Sequence, residues 1–169
     1  MACIPTALAG SALDCGSIGG LRKLHLAHLE EVVTTSATIT DGAISGITMA
    51  AGKDFAEYDF RNGNANFVST GNVDDAAGTS FVETVISLQL NKMDAAKQVE
   101  MSNMFGKPLY AIAEDQNGLK WFIGYGSYGY ANVVGQSGAN KGDSNNFTVT
   151  ITAQTTAFPY VIASVPVSA

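Results

Sequence analysis

Phe81-Val82-Glu83-Thr84-Val85-Ile86-Ser87-Leu88-Gln89-Leu90 alternates without a break. Val82, Thr84, Ile86, Leu88 and Leu90 fall on one face, and Phe81, Glu83, Val85, Ser87 and Gln89 on the other. Successive side chains of a strand point to opposite sides, so this period of two predicts an antiparallel strand packed on one face only. A shorter alternation precedes it, with Ala56, Tyr58 and Phe60 interleaved with Phe55, Glu57 and Asp59. Between the two lies Gly71-Asn72-Val73-Asp74-Asp75-Ala76-Ala77-Gly78, which is small, polar and acidic. The stretch 54–90 therefore reads as a long β-hairpin with a mobile loop, 71–78, at its tip.

Downstream the period changes. Met93, Ala96, Met101, Met104 and Phe105 form an apolar stripe at helical spacing. Asn91 is placed to cap this helix, and Asp94 supplies first-turn negative charge that suits the helix dipole. Gly106 and Pro108 end it, so one helix is predicted over about 92–105. Its methionines read as core, since unbranched side chains fill irregular gaps. Leu109–Glu114 and Leu119–Ile123 then flank Asp115-Gln116-Asn117-Gly118, and Asn-Gly between two apolar runs is a hairpin signal. The Gly- and Tyr-rich segment 124–144 reads as loop, with a strand around Ala131–Val134. Phe147, Val149, Ile151 and Ala153 alternate with threonines, and Tyr160–Val165 makes a last strand.

Upstream, Leu21 to Leu29 fits strand or helix at this length, and the β-branched Val32-Val33-Thr34-Thr35 favours strand. Short strands are expected around Ile39 and Ile44–Met49, with Asp41-Gly42 as a turn. Residues 1–20, small and Gly-rich, read as an extended arm. Many strands and one helix predict a mainly-β fold, an antiparallel sandwich or barrel with a flanking helix. With no internal repeat or linker, 1–169 is expected to be a single domain.

The totals fit. A chain of 169 residues suits one domain. Its hydrophobic fraction is 46% and its charged fraction 14%, against about a quarter charged in ordinary domains. Either this is a compact β domain, or part of its surface is covered by further copies of itself. The net charge of −6 disfavours nucleic-acid binding, because affinity for the phosphate backbone comes from Lys and Arg replacing counterions. No apolar run approaches the ~20 residues of a membrane span. The opening residues lack a positive n-region, so the chain is expected to be made in the cytoplasm with Cys3 and Cys15 as free thiols.

Chemistry-bearing motifs fail on inspection. Gly124-Tyr125-Gly126-Ser127-Tyr128-Gly129 spells a dinucleotide fingerprint, but a strand rather than a helix is expected after it. Gly135 to Lys141 lacks the glycine before the lysine and the hydroxyl after it that a phosphate loop needs. His25 and His28, with Glu30 and Glu31 nearby, would face opposite ways on a strand and so hold no metal together. Glu57, Asp59 and Glu83 read as solvated carboxylates rather than an acid–base pair. No catalytic, cofactor or metal site is expected, and the chain reads as a non-enzyme.

Leu88-Gln89-Leu90-Asn91-Lys92-Met93-Asp94-Ala95-Ala96-Lys97, Phe105-Gly106-Lys107-Pro108-Leu109-Tyr110 and Glu114-Asp115-Gln116-Asn117-Gly118-Leu119-Lys120-Trp121-Phe122-Ile123-Gly124 carry a resemblance, with Leu13-Asp14-Cys15 and Gly19-Gly20 adding a little. Over the middle third, the chain resembles the tail tube class of structural proteins of long-tailed bacteriophages. The resemblance implies a virion protein whose subunits join into rings, usually hexameric, through a continuous inner β-barrel. The rings stack into a tube through which DNA passes without specific binding, and the further partners are tape-measure, terminator and baseplate or tip proteins. On this reading Glu57, Asp59 and Glu83 are lumen-facing candidates, and Asn72, Asp74 and Asp75 are candidates for contact between rings. Competing readings are a neck or tail-terminator ring, a capsid decoration protein, and a carbohydrate-binding sandwich stacking sugars on Trp121, Tyr125, Tyr128 and Tyr130.

Overall fold

The computed structural model describes residues 18–168. The expected arm, with Cys3 and Cys15, lies outside the described residues except for Ile18, Gly19 and Gly20. In chain order the strands are β1 Leu21–His28, β2 Val32–Val33, β3 Thr38–Thr40, β4 Ala43–Ser45, β5 Thr48–Met49, β6 Ala56–Tyr58, β7 Ala65–Asp74 and β8 Thr79–Asn91. The helix α1, Ala95–Met104, follows, and then β9 Pro108–Asp115, β10 Lys120–Ile123, β11 Gly129–Gln136, β12 Asn146–Thr155 and β13 Tyr160–Ile162. Among the described residues the fold is mainly β with one α-helix, a sheet curled into a half-barrel.

The sheet runs β3-β4-β13-β10-β9-β11-β12-β8-β7, with β1 on the other edge of β9 and β6 beyond β1. Curling brings the β7-β8-β12-β11 wall over the β1-β9 wall. Leu24, Leu26, Ile86, Leu88, Ala113, Val149 and Ile151 fill the space between. Met101 and Met104 of α1 join this core. A second core lies on the far side of β9 and β10, where Tyr110, Ile112 and Phe122 meet Ile44, Ile47, Met49 and Phe55. The small β2-β5 sheet contributes Val32 and Met49 to it. Strand β9 serves both: Leu109, Ala111 and Ala113 point into the first core, Tyr110 and Ile112 into the second.

In β1 the ambiguity of Leu21-Arg22-Lys23-Leu24 is resolved by a bulge. Leu21 pairs with Asp115 and Lys23 with Glu114, leaving Arg22 as the extra residue. An inserted residue re-phases the alternation. Leu21 and Leu24, three apart, thus both enter the first core.

The hairpin exists, but it starts later than the alternation implied. β7 and β8 pair from Ala65↔Leu88 to Asp74↔Thr79. The segment read as its first arm is β6, which pairs with β1 through Leu24↔Tyr58, His25↔Glu57 and Leu26↔Ala56. The expected loop 71–78 shrinks as well, because β7 continues through Asp74 and only residues 75–78 turn.

Helix α1 also begins later than predicted. Asn91 is the last residue of β8, paired with Asn146, and Lys92, at φ +63°, turns the chain. Asp94 is the cap, its side chain accepting from the Lys97 amide at 2.9 Å. Ala96 is exposed and Phe105 is 63% exposed, so the buried stripe narrows to Met101 and Met104. Gly106 takes the left-handed conformation expected of it, at φ +72°. The Asn-Gly hairpin joins β9 to β10, with positive φ at Gly118 rather than at Asn117. Asp115 organises it, accepting from the Asn117 and Leu119 amides at 2.8 and 3.0 Å and from Trp121 Nε1 at 3.1 Å.

Candidate functional site

Two regions stand out, a sheet face and a charged cleft. The sheet face belongs to β7-β8-β12-β11. Register places Ser87 beside Asn66 and Thr150, and Thr150 beside Asn132, all pointing away from the core. The outward face therefore carries Val68, Glu83, Gln89, Thr148, Thr150 and Thr152, among others. No residue of these four strands is lysine, arginine or histidine, and their only charges are Asp74 and Glu83. Glu83 sits mid-sheet, where its carboxylate accepts from Gln154 Nε2 at 3.0 Å.

Both edges of this wall are open among the described residues. β7 ends the sheet. β11 meets β9 only through Gly129 and Tyr130, and Ala131 bridges to Phe105, so Asn132 to Gln136 have no partner on that side. Exposed apolar side chains flank both edges: Val68 and Val73 at 55% and 79% exposure on β7, Val134 and Phe105 at 59% and 63% by β11. Unpaired edges with apolar flanks invite pairing with another chain.

Of the three carboxylates expected on one lumen face, the structure places only Glu83 on this wall. Glu57 lies on β6 and Asp59 just beyond it, because β6 pairs with β1 and not with β8. Of the loop candidates, Asn72 and Asp74 sit on β7, where Asn72 Nδ2 donates to the Thr70 carbonyl at 3.3 Å and Asp74 Oδ1 accepts from the Ala77 backbone amide at 3.0 Å. Asp75 lies in the turn. The aromatic residues are dispersed. Trp121 packs against Phe67 with ring centroids 6.2 Å apart, Tyr125 against Tyr160 at 5.9 Å, and Tyr128 against Tyr130 at 5.2 Å.

The charged cleft has no signature in the sequence, because it is assembled by strand pairing rather than by sequence proximity. Arg22, Lys23 and His25 on β1, Glu57 on β6, Glu114 on β9 and Lys120 on β10 line a cleft of about 520 Å³ with Phe55, Val165 and Val167. Lys23 Nζ hydrogen-bonds Glu57. Glu114 faces Arg22 Nη1 at 3.6 Å and Lys120 Nζ at 3.7 Å. The hydrogen bond between Lys23 and Glu57 raises the lysine's pKa and lowers the carboxyl's.

His25 is buried, with Nδ1 3.8 Å from Glu57 and Nε2 lacking any partner among the described residues. Burial lowers its pKa from the ordinary 6.5, outweighing the pull of Glu57 and Glu114, while Lys23 and Lys120 add to the lowering. The folded state thus binds this proton less readily than the unfolded chain. Stability from His25 is complete above its ordinary value of 6.5 and is lost as pH falls through the lowered folded value. Urea midpoints measured from pH 8 to pH 5 are expected to fall on acidification. His25→Leu is expected to flatten that fall, and an unchanged slope would remove His25 as its source.

Among the described residues, no three His, Cys, Asp or Glu side chains converge as a metal site, and no helix is long and apolar enough to cross a membrane. No family model, curated protein or solved structure matches the chain.

Proposed function

We propose that this chain is a virion structural subunit that closes into rings through the β7-β8-β12-β11 wall, the rings stacking as a phage tail tube. The observation that carries the reading is the wall itself, with four strands, two open edges and a face without cations. The strands alternate in direction, each antiparallel to the next. Four is an even number, so β11 of one copy meets β7 of the next in antiparallel sense when copies are related by rotation. Such a head-to-tail contact repeats until the ring closes, which leaves no free edge.

The uncovered face then becomes the inner surface. Six copies would supply roughly 24 strands, and at about 4.8 Å spacing these make a barrel roughly 37 Å across before strand tilt widens it. Glu83, with Asp74 toward the hairpin end, gives that surface a negative sign, which repels phosphates and lets DNA pass without sticking. Asn72, Asp74 and Asp75, at the end of the hairpin, are positioned to meet the next ring. The low overall charge fits a surface largely covered by neighbours.

The test is electron microscopy of the purified protein over a concentration series, with mass by size-exclusion light scattering. Rings or hollow tubes are expected from the natural chain. The double variant Val68→Asp, Val134→Asp places like charges beside both edges and is expected to give a folded monomer. Tubes that survive this change would refute the edge assignment, and a natural chain monomeric at every concentration would count against assembly altogether.

A further inference from the structure

We propose that Asn62 is a site of self-modification, its side-chain amide converting to isoaspartate and aspartate through attack by the Gly63 backbone nitrogen. The chain holds two Asn-Gly pairs, Asn62-Gly63 and Asn117-Gly118, and the fold treats them oppositely.

The chemistry needs a free nucleophile, an activated carbonyl and a free leaving group. Solvent base removes the Gly63 amide proton, and the nitrogen bonds to Asn62 Cγ. The Cγ–Nδ2 bond breaks, and ammonia leaves with a proton from solvent. Water then opens the cyclic imide at either carbonyl, restoring a normal backbone or one routed through the side chain. One water enters and one ammonia departs, with no change of oxidation state.

Asn62 and Gly63 are the exposed central residues of a turn closed by the Asn64 amide donating to the Arg61 carbonyl at 3.0 Å. The Gly63 N–H makes no hydrogen bond among the described residues. Apart from its chain neighbours, nothing lies within 4 Å of where a Gly63 Cβ would be, so no packed group covers the glycine. Asn62 Oδ1 accepts from Gln116 Nε2 at 3.0 Å, and the same nitrogen is steadied by donating to the Leu21 carbonyl at 3.1 Å. A fixed donor at the oxygen on which negative charge develops stabilises the tetrahedral intermediate. Asn62 Nδ2 has no partner among the described residues and is free to leave.

At Asn117 the nucleophile and the leaving group are both held, although its side-chain oxygen also has a donor. The Gly118 N–H donates to the Asp115 carbonyl at 3.1 Å. Asn117 Nδ2 donates to the Ile18 carbonyl at 3.1 Å, and its Oδ1 accepts from the Ile18 amide at 3.0 Å. The glycines themselves do not differ, since both have φ +86°. Conversion at Asn62 adds a negative charge and, in the isoaspartyl product, a methylene to the main chain at the entry to β7.

Folded protein is incubated at mildly alkaline pH, and its tryptic peptides are mapped by mass with enzymatic isoaspartate labelling. Conversion at Asn62 is expected to exceed that at Asn117 by roughly tenfold or more, because Asn117 must first open locally. In urea the two sites are expected to react at similar rates, which shows the selectivity to be a property of the fold. Gln116→Ala, in folded protein checked by circular dichroism, is expected to slow Asn62 several-fold. Equal conversion of both sites in the folded chain, or none at Asn62, would overturn the assignment. Conversion unchanged by Gln116→Ala would overturn the activating role.

Discussion

Replacing Phe122 by alanine is expected to remove about 3–5 kcal/mol of stability, the range for truncating a fully buried aromatic side chain. Phe122 has no exposed surface. Its ring centroid lies 5.3 Å from that of Tyr110, and it shares one core with Ile44, Ile47, Met49, Phe55, Ile112 and Ile162. These come from β4, β5, β9, β13 and the segments between, so no single element can move inward to fill the void. Against a total stability of about 5–15 kcal/mol, such a loss is a large share. Urea unfolding followed by the fluorescence of Trp121, the neighbouring residue and the only tryptophan, measures it. The transition is expected to shift as one cooperative step, because β9 belongs to both cores and cannot lose one while keeping the other. A loss below about 1 kcal/mol would mean that the second core is loosely packed.

The second large effect is expected at Gly46, between β4 and β5. Its φ is +76°, and a Cβ there would stand 2.2 Å from the Ser36 carbonyl oxygen and 3.0 Å from its carbon. Gly46→Ala therefore meets a backbone conformation costing about 1–3 kcal/mol for a residue with a side chain and a collision with main-chain atoms. Together they are expected to cost more than about 3 kcal/mol. Gly42 is the internal control. It also has positive φ, at +80°, but nothing lies within 4 Å of its would-be Cβ, so Gly42→Ala carries the backbone cost alone. Equal losses from the two substitutions, measured by thermal or urea unfolding, would show that the segment at Ser36 gives way freely.

The fold class was legible where the chain packs on one side. Val82 to Leu90 and Phe147 to Ala153 show clean alternation because each has a core face and an outward face, and the structure confirms both as strands. Pairing was less legible, since periodicity states which face is buried but not which strand lies alongside. The alternation at 54–60 therefore points to β8, whereas Ala56–Tyr58 pair with β1 and carry Glu57 with them, Asp59 following just beyond. What hides the true partner of β8 is the plainness of β7. On the phase that faces the core it carries Ala65, Phe67, Ser69 and Gly71, mostly too small or polar to stand out, and Val73 at its end is exposed. Edge strands need less buried surface, and within the hairpin expected over 54–90 only residues 71–74 of this strand read as loop. The charged cleft is illegible in the sequence for a related reason: Lys23, Glu57, Glu114 and Lys120 converge only once β1, β6, β9 and β10 are side by side. Helix α1 starts a few residues later than its pattern predicts because two capping side chains, Asn91 and Asp94, are available, and β8 takes the first for its ladder with β12.

The position of β13 has a kinetic consequence. It pairs with β10 on one side and, in parallel, with β4 on the other, and Ile162 joins a core that also contains Ala27 and Ile44. During synthesis those earlier residues emerge long before their partner. The second core therefore stays open, with Phe122 and Ile112 accessible to water, until residue 162 has left the ribosome. Contacts of such long sequence separation form slowly, and apolar surface exposed meanwhile is prone to aggregation. Yield of soluble protein is thus expected to respond to translation rate and chaperone supply more than the stability of the finished fold would imply.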